Sequence, residues 1–416
     1  MISFDQIKRK IIEFWELLLH HDRFGEDDAF FQVGGDSKAV VELMVLLDEE
    51  FSINVQTAEI FANPTIGSLS RFIAGKLGVT FPDMPANEKA EHAEETATEG
   101  TDGRCDIAII GIGCKLPGSD TPQQFWVNMC AGNSQIIDSI MAGREWGSKV
   151  RGGFIADLHQ FDPAFFHISR KEARTLDPQQ RIMLECAWNA LEDAGYAGNA
   201  ISGTKTGVFI GATMGDYPFL DKDEELNGTL MALIANRISY FFNLKGPSQV
   251  IDTACSSSLV AVHQACQSIY LKECEMAIVG GVNLILTDRR YRTMGKKTML
   301  SPDGLCYTFD ERANGFVPGE GAIAIVLKPL HKALKDGDGI YAVIKGSATN
   351  NDGRTNGINA PNPEAQTTVI QAAWNRAGVP IETSNYFEAH GTGTALGDPI
   401  EISALTAAFP KAYKKN

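Results

Sequence analysis

The chain has 416 residues, a formal net charge of −15, and 44% hydrophobic and 21% charged residues. That length allows two or three domains with a substantial core, and the composition is ordinary for a globular chain. So much negative charge repels phosphate backbones and anionic lipid, so neither nucleic acid nor membrane is an expected partner, and no apolar run reaches spanning length.

In chain order, the opening "MISFDQIKRKIIEF" is amphipathic and carries acids, so it reads as a helix and not as a signal peptide. Ile7, Ile11, Ile12, Phe14, Trp15, Leu18 and Leu19 fit one helix with a broad apolar face. A second helix begins near Ser37, where Val40, Leu43, Met44 and Leu47 follow the i, i+3, i+4, i+7 spacing; Asp36 suits its N-cap and Gly34-Gly35 a tight entry. A short helical turn fits "TAEIF", and "NPTIGSLSRFI" opens a last helix with Thr65 as cap and Ile66, Leu69, Phe72 and Ile73 inward. These elements define an all-helical unit over 1–78.

Residues 79–104 are acidic, rich in Ala, Thr and Pro, and poor in large apolar side chains. Such a stretch buries too little surface to offset its ordering entropy, so it reads as a flexible linker with a root-mean-square span of about 25–30 Å. From 105 to 416 the pattern is α/β. The apolar runs "DIAIIGIG", "TGVFIGA", "EMAIVGGVNLIL", "GAIAIVLKPL" and "YAVIKGSAT" predict strands buried on both faces. Between them "DPQQRIMLECAWNALEDAG" predicts a helix stopped by its glycine.

Three positions invite chemistry. Ser37, at the start of a helix after "GGD", is either part of the cap or the bearer of a phosphodiester, which the amides and dipole of a helix N-terminus stabilise; Lys38 adds a positive charge. Cys255, in "VIDTACSSSL", follows an apolar segment and precedes a helix marked by Leu259, Val262, Cys266 and Ile269. The helix dipole there favours a thiolate, the small neighbours leave space for a thioester, and the Cys255 amide is a candidate oxyanion donor. The alternative is a buried, inert thiol, which is the reading for Cys186 and Cys266 inside helical periods. His390, at the end of a predicted short strand in "NYFEAHGTGTALGDPIE", is either a proton donor and acceptor for Cys255 or a structural histidine satisfied by local backbone. His263 reads as a packing or surface residue. The glycine phrases "GTGTALGDP" and "GIGCKLPG" do not match a nucleotide-binding spacing. The eight cysteines form no C-x-x-C pair, so no metal site or disulfide framework is expected, and a reducing cytoplasm is the simplest setting.

Two resemblances follow from these phrases. "FFQVGGDS" in a helical unit of this size resembles the four-helix carrier domains of polyketide and nonribosomal peptide synthases, of acyl or peptidyl type. The resemblance implies that Ser37 holds a covalent 4′-phosphopantetheine arm, placed by a phosphopantetheinyl transferase. "DIAIIGIGCKLPG", "DTACSSSLVAVH", "SPDGLCYTFDERANGFVPGEG", "TNGINAPNPEAQ" and "EAHGTGTALGDPIE" resemble the ketosynthase domain of modular polyketide synthases, with wording similar to modules whose acyltransferase is a separate protein. That family implies a multi-domain chain whose second part has the thiolase-like αβαβα fold, two related halves and a homodimer. It implies Cys255 as the acyl-accepting nucleophile and His390 as one of two catalytic histidines in a decarboxylative Claisen condensation with a malonyl-carrier protein. Acyl or peptidyl thioesters and other synthase modules are the implied partners.

The family's second histidine, in a lysine-then-Gly-His phrase, does not follow "FPKAYKKN". The second half of the fold is therefore expected to be incomplete, as a fragment or as a natural split, and the isolated chain is expected not to condense. The rival reading is a non-elongating module that holds or docks acyl chains. A cysteine hydrolase is disfavoured, since no Asn or Asp stands out to orient a histidine base.

Overall fold

The computed structural model describes residues 3–79 and 105–409, apart from 27, 29, 31–32, 36, 56–58, 61–62, 145, 147–149, 221–225, 296–298, 356 and 358–359, and gives the backbone alone at 37, 38 and 41. The chain forms two compact units, Met1–Thr96 and Ala97–Asn416. From residue 80 on, the expected linker lies outside the described residues, as does Asp36.

The first unit is helical. Helix α1 (Phe4–Leu19) starts in a capping box, with the Gln6 amide donating to Ser3 Oγ at 3.3 Å and the Ser3 amide to Gln6 Oε1 at 2.8 Å. Helix α2 (Ser37–Phe51) begins at the expected serine. Helix α3 (Ile66–Lys76) is capped by Thr65, whose Oγ1 accepts from the Ser68 amide. The expected turn at "TAEIF" is helical at 59–60, and its remaining residues lie outside those described. Ile7, Ile11 and Trp15 of α1, Val40, Leu43 and Leu47 of α2, and Ile66, Leu69 and Ile73 of α3 meet in one buried core. Phe30 enters that core edge-on to Trp15, with ring centroids 4.8 Å apart.

In the second unit the elements run β1 (Ile107–Lys115), α4 (Pro122–Cys130), β2 (Ile136–Asp138), β3 (Arg151–Gly153), α5 (Arg170–Thr175), α6 (Pro178–Asp193), β4 (Thr206–Ala212), α7 (Leu226–Thr229), α8 (Leu233–Phe241) and β5 (Ser248–Ile251). They continue with α9 (Ser257–Tyr270), β6 (Met276–Asn283), α10 (Arg289–Gly295), β7 (Gly321–Pro329), α11 (Leu330–Asp336), β8 (Ala342–Ile344), α12 (Pro363–Ala377) and α13 (Gly397–Ala408). Six strands form one sheet in the order β5-β4-β6-β7-β1-β8. β4 is parallel to both β5 and β6, and the other neighbours are antiparallel.

Strand alternation sorts the core into two layers. Ala108, Ile110, Val208, Ile210, Ile278 and Val326 face the layer of α6 and α8, while Ile107, Phe209, Ala277, Val279 and Leu327 face α9. The glycines of "GIGC" lie inside β1 and serve helix packing: a Cβ on Gly111 would stand 2.2 Å from the Ala190 carbonyl oxygen of α6, and one on Gly113 2.3 Å from that of Cys186.

Two strand expectations are corrected. "YAVIKGSAT" yields only the three residues of β8, because Ile344 pairs with Ile107, the first residue of β1, and no ladder remains beyond it. No strand leads into His390 either; the amides of His390 and Gly391 donate to the Glu401 side chain instead of to a neighbouring strand. Of the four residues that mark α9 in the sequence, Leu259 is 75% exposed; Ala261, Ala265, Cys266 and Ile269 are buried.

A buried carboxylate ties three segments around the sheet. Glu320 accepts from the Arg144 guanidinium (2.7 Å) and from the amides of Ile155 (2.7 Å) and Ile285 (3.0 Å). Burial pushes its carboxyl above the usual range, against the pull of Arg144 and the two amides. Removing one partner of such a buried pair strands the other, which costs about 3–5 kcal/mol. Glu320→Ala is therefore expected to lower the unfolding free energy of the second unit by about that amount in a denaturant titration; a change within error would show that the three donors find other acceptors.

Candidate active site

The sheet's parallel strands β5, β4 and β6 point their C-terminal ends the same way, the side of an open α/β sheet where sites form. Past Ile251 the chain enters a single 3-10 turn, Ala254–Ser256, that runs on into α9. Ala254 takes φ 57°, a left-handed conformation costing a residue with a Cβ on the order of 1 kcal/mol. Local hydrogen bonds hold the turn. The Ala254 amide donates to Asp252 Oδ1 (3.1 Å), and Ser256 Oγ donates to the Thr253 carbonyl (2.9 Å). Ser257 Oγ accepts from the Thr253 amide (2.8 Å) and donates to the Ala254 carbonyl (2.6 Å).

Cys255 lies within this turn, exposed, and its thiol makes no hydrogen bond among the described residues. The turn can approach the sheet because two strand residues lack side chains. A Cβ on Gly211 of β4 would stand 2.5 Å from the Ser258 amide nitrogen, and one on Gly281 of β6 would stand 2.8 Å from Ser258 Cβ. The serines after Cys255 are thus more than small neighbours: Ser256 and Ser257 lock the turn, and Ser258 seats α9 on the strand ends.

His390 is exposed on the loop before α13. Its own amide donates to Glu401 Oε1 (2.6 Å) and the Gly391 amide to Glu401 Oε2 (2.9 Å), so one carboxylate of α13 grips both peptides. Asp398, 4% exposed, accepts from the amides of Gly393 (3.1 Å) and Phe309 (2.8 Å). Thr308 Oγ1 donates to the Gly391 carbonyl (2.7 Å) and the Gly315 amide to the Gly393 carbonyl (2.9 Å). The "HGTGTALGDPIE" loop is thereby pinned to the loop holding "CYTFDERANG". The acids Asp398 and Glu401 were not singled out from the sequence, although their spacing of three on one helix was visible there. The side chains of Cys255 and His390 are not hydrogen-bonded to each other. His263 is half-buried, its Nδ1 lying 2.8 Å from Ser347 Oγ, which fits the packing role expected for it.

In the first unit, Ser37 is the first residue of α2, a helix with no acid in its first turn. The free amides there suit a phosphodiester, and no carboxylate of that turn opposes it. Gly34, with φ 109°, and Gly35 precede it.

The domain model described as beta-ketoacyl synthase, N-terminal domain, matches residues 104–333, and the C-terminal domain model matches residues 341–416. The chain belongs to the beta-ketoacyl synthase family. The C-terminal domain is present over that second range. A phosphopantetheine attachment site model matches residues 9–73, so the helical unit is a carrier domain of the kind that bears covalent 4′-phosphopantetheine. The ketosynthase from module 6 of the bacillaene synthase of Bacillus subtilis 168 superposes with a TM-score of 0.71 at 45% identity, covering 75% of this chain and 55% of that one. An oxazolomycin ketosynthase domain of Streptomyces albus JA3453 gives 0.69 at 41% identity, covering 73% and 56%. The thiolase-like ketosynthase fold is thus shared. Two polyketide synthases of Bacillus subtilis are also similar: PksM is 38% identical over 96% of this chain, and PksN is 36% identical over 96%. The chain spans 10% and 8% of the lengths of those two proteins.

The remaining thiols divide by burial. Cys114, Cys186, Cys266 and Cys274 are buried, Cys105 is half-buried, and Cys130 and Cys306 are exposed like Cys255. Burial pushes the Cys266 thiol up to about 12 and the Cys186 thiol further still. Iodoacetamide is expected to label Cys130, Cys255 and Cys306 on the folded chain and to reach the four buried thiols only after unfolding, as read by peptide mass mapping. A Cys255 protected in the folded state would contradict its placement on an open turn.

Proposed function

We propose that this chain is part of a polyketide synthase module in which Ser37 bears the phosphopantetheine arm and Cys255 accepts an acyl chain for carbon–carbon bond formation. One observation carries the reading above the others: an exposed cysteine stands in a strained, side-chain-locked turn at the start of α9 and beyond the C-terminal end of β5, in a chain that also holds a carrier domain. When bound, the arm supplies a flexible thiol that carries the acyl group as a thioester.

Cys255 attacks the thioester carbonyl: the new Sγ–C bond forms as the donor's S–C bond breaks, the thiol proton of Cys255 goes to the departing thiolate, and the Cys255 amide takes the oxyanion role. His390 then donates a hydrogen bond to the enolate oxygen that forms when a malonyl thioester loses carbon dioxide; the enolate carbon attacks the acyl carbonyl on Cys255, the new carbon–carbon bond forms as the Sγ–acyl bond breaks, and Cys255 leaves as the thiolate. Glu401 and Asp398 act as positioning residues for that histidine, since both hold the backbone around it. The malonyl-carrier protein, a phosphopantetheinyl transferase and neighbouring modules are the proposed partners. The carrier unit precedes the ketosynthase unit, so its arm delivers the incoming chain at high effective concentration.

The test uses the full chain, a phosphopantetheinyl transferase, an acyl-coenzyme A donor and a malonyl carrier. Mass spectrometry is expected to find the arm on wild type and not on Ser37→Ala, and an acyl adduct on Cys255 that Cys255→Ala lacks. An elongated product after loading of Cys255 would exclude the acyl-holding reading; an acyl adduct elsewhere would sink both.

The reading extends to a homodimer built on β5. Among the described residues this strand pairs only with β4, and its outer edge carries no charged residue in "SQVI". An uncharged open edge favours pairing with a second copy. Sedimentation of the full chain at micromolar concentration is expected to give a dimer; a monomer across that range would overturn it.

A further inference from the structure

The turn that leads into Ser37 has an anchor outside the two reacting positions. His21 follows the end of α1, next to His20 at φ 58°. Its Nδ1 faces the Arg23 amide at 3.2 Å, and its Nε2 lies 2.9 Å from the Val33 carbonyl oxygen. An amide only donates and a carbonyl only accepts, so both bonds coexist in one state of the ring, neutral with its hydrogen on Nε2. The ring also lies over Gly34, where a Cβ would stand 3.8 Å from Nε2.

A second anchor completes the turn. The Gly35 amide donates to the Phe30 carbonyl at 2.9 Å, and a Cβ on Gly35 would strike the Phe30 ring at 2.4 Å. Phe30 is fully buried, and its own amide donates to the Pro64 carbonyl at 2.8 Å. The backbone of Val33, Gly34 and Gly35 is therefore tied at one point to the core, through Phe30, and at another to the end of α1, through His21. Ser37 follows two residues later.

We propose that His21, as the neutral ring with hydrogen on Nε2, is the positioning residue that sets the turn presenting Ser37 to the transferase that loads it. The proposal rests on Ser37 being the attachment position. In that transfer the Ser37 oxygen forms the new bond to phosphorus, its hydroxyl proton leaves, and the nucleotide half of coenzyme A departs with the electrons of the broken phosphoanhydride bond. His21 takes no part in those bonds; it orders the approach.

The test measures loading of the full chain by a phosphopantetheinyl transferase with coenzyme A. His21→Ala is expected to lower kcat/KM about three- to tenfold, the worth of about one hydrogen bond. His21→Gln, which keeps a donor and an acceptor, is expected to recover part of that loss, and His21→Phe, which keeps only the ring, none. Amide exchange at Gly34 and Gly35 is expected to quicken in His21→Ala while exchange in the middle of α1 and α3 stays as in wild type, which separates a loosened turn from a destabilised fold. Long-range nitrogen–proton spectra of the wild-type chain are expected to show His21 protonated on Nε2 alone. Wild-type loading by His21→Ala, unchanged exchange at the two glycines, or a ring protonated on Nδ1 would each overturn the proposal. Wild-type loading of Ser37→Ala would instead overturn the attachment reading and the proposal with it, an outcome that the exchange and tautomer measurements do not mimic.

Discussion

The second unit depends on how closely α9 can begin against the ends of β4 and β6. The first residues of that helix stand where the side chains of Gly211 and Gly281 would be. Any Cβ at Gly211 meets backbone, which cannot rotate away as a flexible side chain does. This contact fixes the height of the turn above the sheet, and with it the place of Cys255. Because the strands are parallel there, their carbonyl ends and the helix N-terminus converge on the same side.

The turn before α9 carries strain that the sheet alone would not sustain. Ala254 adopts a conformation that glycine would take freely, and the hydroxyls of Ser256 and Ser257 hold it there. The His390 loop shows the same division of labour. Its backbone amides turn to two carboxylates of α13 instead of to a strand, leaving the imidazole exposed. In both places short polar side chains satisfy backbone groups, so the chain can leave regular structure without burying unpaired amides.

Much of the fold was legible in the sequence because two simple patterns carry it. The i, i+4, i+8 spacing of Ile7, Ile11 and Trp15 marks one buried helix face, and the apolar runs "DIAIIGIG" and "TGVFIGA" mark strands with helices on both sides. The places where that reading failed are those where a partner decides the outcome. "YAVIKGSAT" has strand composition throughout, yet pairing stops where β1 starts. "NYFEAH" is strand-like too, but Glu401 takes its last amide, and no local pattern shows that a side chain eleven residues away will do so. Leu259 fits the helical period of α9 and still faces outward, since the buried stripe runs through alanines that let the helix lie close to the sheet.

The proposed site residues stand out in the sequence for a different reason. Cys255, His390 and Ser37 each sit at a break in periodicity, among small or polar residues that no core requires. What the sequence hid was the support beneath them. Glycines in β1 resemble phosphate-binding phrases by composition, yet Gly111 and Gly113 face carbonyl oxygens of α6 at distances that leave no room for a ligand. The same residue type at Gly211 and Gly281 admits the helix start that follows the thiol's turn. At these four strand positions glycine therefore reports how near a strand and a helix come, and it bears on Cys255 only through the helix start that such an approach sets in place.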